Sequence, residues 1–297
     1  MRFLKASSIA ISTILTSAVI SGGAATAGGL GQPVDWQLGL QQAASPSMYG
    51  IHELNNLLMW IITIITIFVG ALLLYVSYRF GEKKNPTPSK TTHNTMIEFV
   101  WTVVPILILV GIAIPSFRLL YLQRDIPKAD LTIKATGNQW YWGYEYPEYK
   151  TSDDEAISFD ALMKSDEERK EGDPRLLATD NAVVVPVNKV VKVIVTGADV
   201  IHAWTVPSFG AKVDAIPGRL NELWFKADKT GVYYGQCSEI CGKDHAFMPI
   251  EVRVVSDADF KKWVEETKTA GLETAQKNLV AKMDAVSETR RVAKLKK

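Results

Sequence analysis

The stretch Cys237-Ser238-Glu239-Ile240-Cys241-Gly242-Lys243-Asp244-His245-Ala246-Phe247-Met248 gathers two thiols, an imidazole and a thioether into one short loop. These two cysteines are the only ones in the chain. Thiolate and thioether are soft ligands, and beside imidazole they favour copper over the hard cations, which prefer carboxylate and water oxygens. A second histidine, His202, stands upstream where an apolar, strand-like run turns, in Asp199-Val200-Ile201-His202-Ala203-Trp204. Strands distant in sequence can bring it onto the loop. One thiolate with two histidines and a methionine would describe a mononuclear blue-copper site, so the second cysteine needs its own account. Two bridging thiolates can hold two coppers.

Other readings compete for the same residues. Cys237 and Cys241 can be written as a disulfide, but so short a loop gives little entropic stabilisation and invites strain. Two cysteines and two histidines can also hold zinc tetrahedrally, and ligand identity alone does not exclude it. Met248 tilts the balance to copper, because thioether is not a usual zinc ligand. A lone Met or His is most often ordinary packing; the spacing of Met248 and His245 from the thiols argues against that here.

The pattern Cys-x3-Cys-x3-His-x2-Met, preceded by a distant histidine, resembles the binuclear CuA centre of the cytochrome c oxidase subunit II family. The resemblance runs from about Asn55 to Trp263. It implies that His202, Cys237, Cys241, His245 and Met248 are side-chain ligands of two copper ions, with the main-chain carbonyl of Glu239 completing the shell. Every one of those positions is filled.

The rest of the chain bounds this reading. It has 297 residues and a formal charge of +1, which permits one or two domains and argues against a nucleic-acid partner. The basic start Met1-Arg2-Phe3-Leu4-Lys5, a small and apolar run to Ile20, and Ala25-Thr26-Ala27 predict a secretory signal peptide over 1–27. A segment 28–54 on the outer side of the membrane follows. No charge interrupts Leu57 to Tyr78 or Phe99 to Phe117, so both runs predict membrane spans, at 55–80 and 96–120. Pro105 and Pro115 fall inside the second, which membrane helices tolerate. Between the uncharged runs Arg79, Lys83, Lys84 and Lys90 oppose only Glu82, marking the 81–95 connection as cytoplasmic. The exported N-terminus agrees, and the chain beyond the hairpin is expected in the periplasm of a bacterial inner-membrane protein.

Beyond Leu131 short β-rich runs alternate with turn chemistry: Leu131 to Thr136, Asn181 to Val187, Lys189 to Thr196, Leu220 to Ala227, Gly231 to Gln236 and Pro249 to Val255. Pro217-Gly218 and Asp228-Lys229-Thr230-Gly231 read as turns. The spacing predicts a sandwich or barrel, and the resemblance makes it a cupredoxin-like Greek-key domain over 121–256, after the transmembrane hairpin. Ser256, with Asp257 and Asp259, starts a helix carrying Phe260 and Trp263. The tail in 257–297 has no counterpart in the family past about Gly271. It reads as a solvated helix, a contact on another subunit, or a segment removed by processing.

Three further sites come with the resemblance. Trp140, in the aromatic run Gly137 to Tyr146, is implied as the point where an electron enters from cytochrome c; if the run is extended, Trp140 and Trp142 share one face. Asn138 stands where the family commonly has histidine. Glu98 opens the second span and is implied as the mouth of a proton path; an acid near a helix N-terminus also explains it. The Glu239 carboxylate is implied in a magnesium site shared with subunit I. The stretch Glu145 to Asp173 is acid-rich and is expected to be a solvated loop that suits a basic cytochrome c. The implied function is to accept electrons at CuA and pass them to haem in subunit I, where oxygen is reduced to water with proton translocation; haem is not expected in this chain. A quinol oxidase subunit, which normally lacks the copper ligands, a membrane-anchored copper-delivery protein and a CuA-bearing nitrogen-oxide reductase are the rival readings.

Overall fold

The computed structural model describes residues 30–295. The predicted signal peptide therefore lies outside the described residues. The chain divides into two compact units: the helical pair within Tyr49–Asp125, and a β domain built from Ile126 onward together with the segment that ends at Met48.

Helix α1 (Pro46–Arg79) and helix α2 (Thr95–Arg124) form the first unit. Both are long and apolar enough to cross a membrane, with mean hydropathy over their most apolar windows of 2.8 and 2.5, and none of either window is buried inside the chain. An apolar surface left open along its whole length is what lipid or neighbouring membrane helices cover. Helix α1 starts well before the run of uncharged residues predicted to span. At the head of α2, the Asn94 side chain accepts hydrogen bonds from the N–H groups of Met96 and Ile97, at 3.1 and 3.2 Å. Glu98 returns the favour by accepting from the Asn94 N–H at 3.3 Å. This reciprocal cap satisfies orphan donors at the helix start.

The second unit is a β-sandwich. One sheet has the order β3-β2-β1-β5-β8, formed by Ala156–Ala161, Tyr141–Lys150, Leu131–Asn138, Val191–Gly197 and Asn221–Phe225. A three-stranded sheet, β4-β10-β9, joins Val183–Pro186, Pro249–Val255 and Gly231–Gln236; a two-stranded one pairs β6 (His202–Val206) with β7 (Ala211–Ala215). Strands β1 and β5 pair in parallel, as do β4 and β10, so the chain crosses between sheets rather than running as a meander. In β1 and β5 every second residue is buried. Leu131, Ile133 and Ala135 meet Val191, Val193 and Val195 in one core with Trp142, Tyr146, Trp204 and Phe225.

The acid-rich stretch is only partly the expected loop. Asp153 to Glu155 stand in the turn between β2 and β3, and Asp166 to Asp173 in the connection beyond β3, whereas Glu145 and Asp160 lie in the strands and face outward beside the buried Tyr146 and Phe159. Pro217-Gly218 does connect β7 to β8, with Gly218 at φ 75°, and Asp228 to Thr230 connect β8 to β9.

Helix α3 (Asp257–Ala270) closes the domain. The Ser256 side chain caps it by accepting from the Asp259 N–H at 3.1 Å, and Trp263 packs on Tyr146 with ring centroids 5.3 Å apart. The tail is a further helix, α4 (Leu272–Leu295), whose first turns are not simply solvated. Ala275, Gln276 and Leu279 are buried, and the Gln276 amide donates to the Ala182 carbonyl at 2.7 Å.

The segment before α1 is built into the same domain. Tyr234 donates its N–H to the Gly31 carbonyl at 2.8 Å, which ties the start of the segment to β9. Ala44 donates to Ser208 and accepts from Asp228, and the Ser45 hydroxyl donates to the Phe209 carbonyl at 2.6 Å. Ser45 is fully buried and also accepts from the Met48 N–H. Replacing Ser45 with Ala strands those groups, at a cost of about 1–3 kcal/mol. The thermal transition of the β domain in the detergent-solubilised chain should fall accordingly; an unchanged transition would show that this strap carries no stability.

Candidate metal centre

The ligand loop is the connection between two antiparallel strands. Gln236, the last residue of β9, pairs with Pro249, the first of β10, so Cys237 and Met248 leave the sheet side by side. The Ser238 N–H donates to the Ala203 carbonyl at 3.1 Å, which ties the loop start to β6. His202 is the first residue of β6, and its pairing with Ala215 on β7 fixes where its ring emerges. Close approach there requires two glycines. A Cβ on Gly137 of β1 would come within 2.8 Å of the His202 ring, and one on Gly235 of β9 within 1.8 Å of the Thr205 carbonyl oxygen. At the far end of the loop, a short 3-10 turn, His245–Phe247, aims His245 back at the cysteines.

The donors converge as the motif predicts. Cys237 Sγ and Cys241 Sγ are 3.9 Å apart. His202 Nδ1 stands 3.9 Å from Cys237 Sγ, and the Glu239 carbonyl oxygen 3.3 Å from the same sulfur. On the other side, His245 Nδ1 and Met248 Sδ each lie 3.5 Å from Cys241 Sγ. Both cysteines are free thiols, since a disulfide requires sulfurs about 2.05 Å apart. His202, Cys237, Cys241 and Met248 are buried, and the cysteines and Met248 belong to the hydrophobic core. Two sulfurs in the middle, flanked by imidazole, thioether and carbonyl donors, form a soft-ligand cradle that fits copper.

Electrostatics separate the two thiols. Burial pushes Cys237 up, but its hydrogen bonds with His202 and with the Ala203 and Glu239 backbone outweigh that and bring it down to about 7. Burial pushes Cys241 up to about 12, and the adjacent Cys237 thiolate adds to the rise. The pair therefore gives up one proton readily and the second only with difficulty. A metal cation held by Cys237 and Cys241 would take the place of both protons.

Sequence reasoning missed the support behind His202. Its Nε2 lies 2.8 Å from Asp199 Oδ1, while Asp199 also accepts from the N–H groups of Gln139 and Val200, each at 2.7 Å. Burial disfavours charge on Asp199, yet these donors hold its carboxyl below the usual range. A carboxylate on Nε2 keeps that nitrogen protonated and turns Nδ1 toward the thiols; burial opposes charge on the ring, but the contacts with Cys237 and Asp199 raise His202 overall, so Nδ1 would give up its proton when a metal cation takes its place. The signal in the sequence was an acid three residues before a candidate ligand. Gln139 gave no signal; its side-chain amide donates to the Cys241 carbonyl at 2.8 Å, and Trp140 Nε1 donates to the same oxygen at 3.3 Å.

Trp140 thus touches the ligand loop directly. It stands in the turn between β1 and β2 rather than in a strand, so it does not share a strand face with Trp142 as an extended run would require. Trp142 is buried and donates to the Met248 carbonyl at 3.3 Å. The Glu239 carbonyl faces Cys237, whereas the residue itself is exposed. Glu98 lies in the helical unit, engaged in the cap of α2.

Comparisons with known proteins agree with this site. The family described as "Cytochrome C oxidase subunit II, periplasmic domain" matches residues 131–255, and its transmembrane domain matches residues 33–119. The probable cytochrome c oxidase subunit 2 of Rickettsia bellii is 51% identical over 233 residues, 78% of this chain and 85% of that protein. The cytochrome c oxidase subunit 2 of Cereibacter sphaeroides is 49% identical over 257 residues, 80% of this chain and 83% of that protein. The solved periplasmic domain of subunit II of cytochrome oxidase from Bradyrhizobium japonicum is 62% identical; it covers 49% of this chain and 98% of that one, with a TM-score of 0.44. Two membrane-spanning helices, the soft-ligand cradle and these relatives together identify the chain as a member of the cytochrome c oxidase subunit II family.

Proposed function

We propose that the cradle holds two copper ions, and that the β domain receives electrons from a soluble cytochrome c in the periplasm and passes them to haem in subunit I. The observation that carries this reading is the pair of buried, unbridged thiols 3.9 Å apart with donors on both flanks. Copper bound there supplies one-electron oxidation and reduction. His202, Cys237, Cys241, His245 and Met248, with the Glu239 carbonyl, are proposed as its ligands. The chain contributes rigidity: buried ligands tied to β6, β9 and β10 resist displacement when the charge of the site changes. It also excludes water, which strengthens every electrostatic contact inside.

Trp140 is the proposed entry point. Its ring is only half buried, yet its Nε1 reaches the Cys241 carbonyl, so one side chain joins the surface to the ligand loop. Beside it, the outer face of β1, β2 and β3 forms a depression of about 500 Å³ lined by Tyr141, Glu145 and Asp160 among others. Glu145 there is paired with Lys134 at 3.3 Å, so Asp160 and the acids of the neighbouring loops are what would favour encounter with a basic partner, an effect of roughly tenfold to a thousandfold in rate that fades with salt. The exposed Glu239 carboxylate is proposed to bind Mg2+ shared with subunit I, since a hard cation takes oxygen ligands. The basic 81–95 connection supports a cytoplasmic position for that loop and, with it, a periplasmic β domain on a chain whose two helices span a lipid bilayer.

Trp140→Ala should slow electron entry by more than about tenfold, roughly 1.4 kcal/mol in barrier, while the affinity for cytochrome c changes little. Stopped-flow reduction of the assembled oxidase measures both, and wild-type rates would return Trp140 to a packing role. For Glu98, proposed as the entrance of a proton path, glutamine is the informative substitution because its carbonyl oxygen can still cap α2. Glu98→Gln should lower steady-state turnover and proton uptake without altering the copper spectrum. Unchanged turnover would leave Glu98 as a helix cap only.

A further inference from the structure

Trp142 is among the largest side chains of the core and is fully buried. A buried indole N–H needs an acceptor. Here it is the main-chain carbonyl of Met248, 3.3 Å away, at the point where the ligand loop enters β10. The same ring meets the His202 imidazole in an edge-to-face contact, with centroids 6.0 Å apart and planes at 63°. The residue across the ladder completes the arrangement. Gly137 of β1 pairs with Trp142 of β2, so the two positions share one inward face. Because position 137 carries no side chain, the imidazole lies against the β1 backbone, where a Cβ would stand 2.8 Å from its ring. Trp142 and Gly137 thus form a seat for the ring. Asp199 determines which nitrogen turns inward, and the seat determines the plane in which the ring lies.

We propose that Trp142 is a positioning residue for the copper pair: one buried indole that holds both the imidazole plane of His202 and the main chain of Met248, and so tunes the potential at which the centre accepts an electron. This inference rests on the copper reading of the loop. A methionine side chain has three rotatable bonds, so the approach of its sulfur to a metal depends on where its main chain is held. Pairing of Pro249 with Gln236 holds the residue that follows Met248, and the indole holds the Met248 carbonyl itself. A weak thioether contact is one of the contacts that set the potential of a copper–thiolate centre. The orientation of a ligating imidazole depends in the same way on the groups around it. Filling the core accounts for the burial of Trp142 alone. It does not account for a hydrogen bond and a ring contact that both fall on proposed ligand residues. Trp263, equally buried, packs its ring on Tyr146 and Phe260 instead.

The test uses the detergent-solubilised full chain loaded with copper. Two variants are compared with wild type: Trp142→Phe, and replacement of Trp142 by 3-benzothienylalanine, which keeps the ring shape and removes only the N–H. Trp263→Phe controls for the loss of a buried indole. Competition with a chelator should show copper affinity lowered by about tenfold to a hundredfold in both variants at 142, the range for a group that supports a metal ligand. Their midpoint potential and copper hyperfine pattern should shift as well. Trp263→Phe should lower the thermal transition and leave affinity, potential and hyperfine pattern as in wild type. Wild-type values of all three in either variant at 142, or changes of equal size in Trp263→Phe, would overturn the proposal and leave Trp142 as a core residue. An unaltered chain that takes up no copper would overturn the copper reading beneath it.

Discussion

The register of β9 against β10 is the constraint on which the centre depends. Pairing of Gln236 with Pro249 places Cys237 and Met248 at the two ends of one closed loop. A slip of one residue would turn every β10 side chain to the opposite face and move Met248 away from Cys241. The crown of the loop is fixed separately, by the Cys241 carbonyl that accepts from both Gln139 and Trp140. Sheet and turn therefore act on the same short segment from opposite sides. That arrangement allows a loop with little regular structure of its own to hold its sulfur atoms in place.

Burial makes the arrangement chemically useful. Thiols in the core are costly to ionise: burial raises Cys241, whereas hydrogen bonds bring Cys237 down in spite of it. His202 is oriented by Asp199, and Asp199 by two backbone N–H groups, so the ligand geometry is set by a chain of satisfied polar contacts. The Gln139 backbone N–H meets Asp199 while its side chain meets Cys241, which couples the two halves of the site through one residue.

Much of this was legible in the sequence because the chemistry is written in rare residues. Two cysteines with His245 and Met248 at fixed spacing define the loop, and uncharged runs define the spans. Composition misled where alternation was the true signal. Within β2 and β3, Glu145 and Asp160 sit on the outward face while Trp142, Tyr144, Tyr146 and Phe159 fill the core, so part of a charge-rich stretch proves to be a half-buried ribbon. The strap before α1 had no periodic signature at all. Ala43, Ala44, Ser45 and Ser47 are small, and they are buried through backbone and hydroxyl hydrogen bonds that only the folded domain supplies. The tail helix α4 likewise gains its order from Ala275, Gln276 and Leu279 meeting the domain, a tertiary contact with no local cue.

Copper stoichiometry combined with electron paramagnetic resonance on the full chain, loaded with copper, tests the central claim most directly. The account predicts two coppers per chain and one unpaired electron shared equally between them. A single localised copper, bound zinc, or a Cys237 to Cys241 disulfide that resists metal would contradict it.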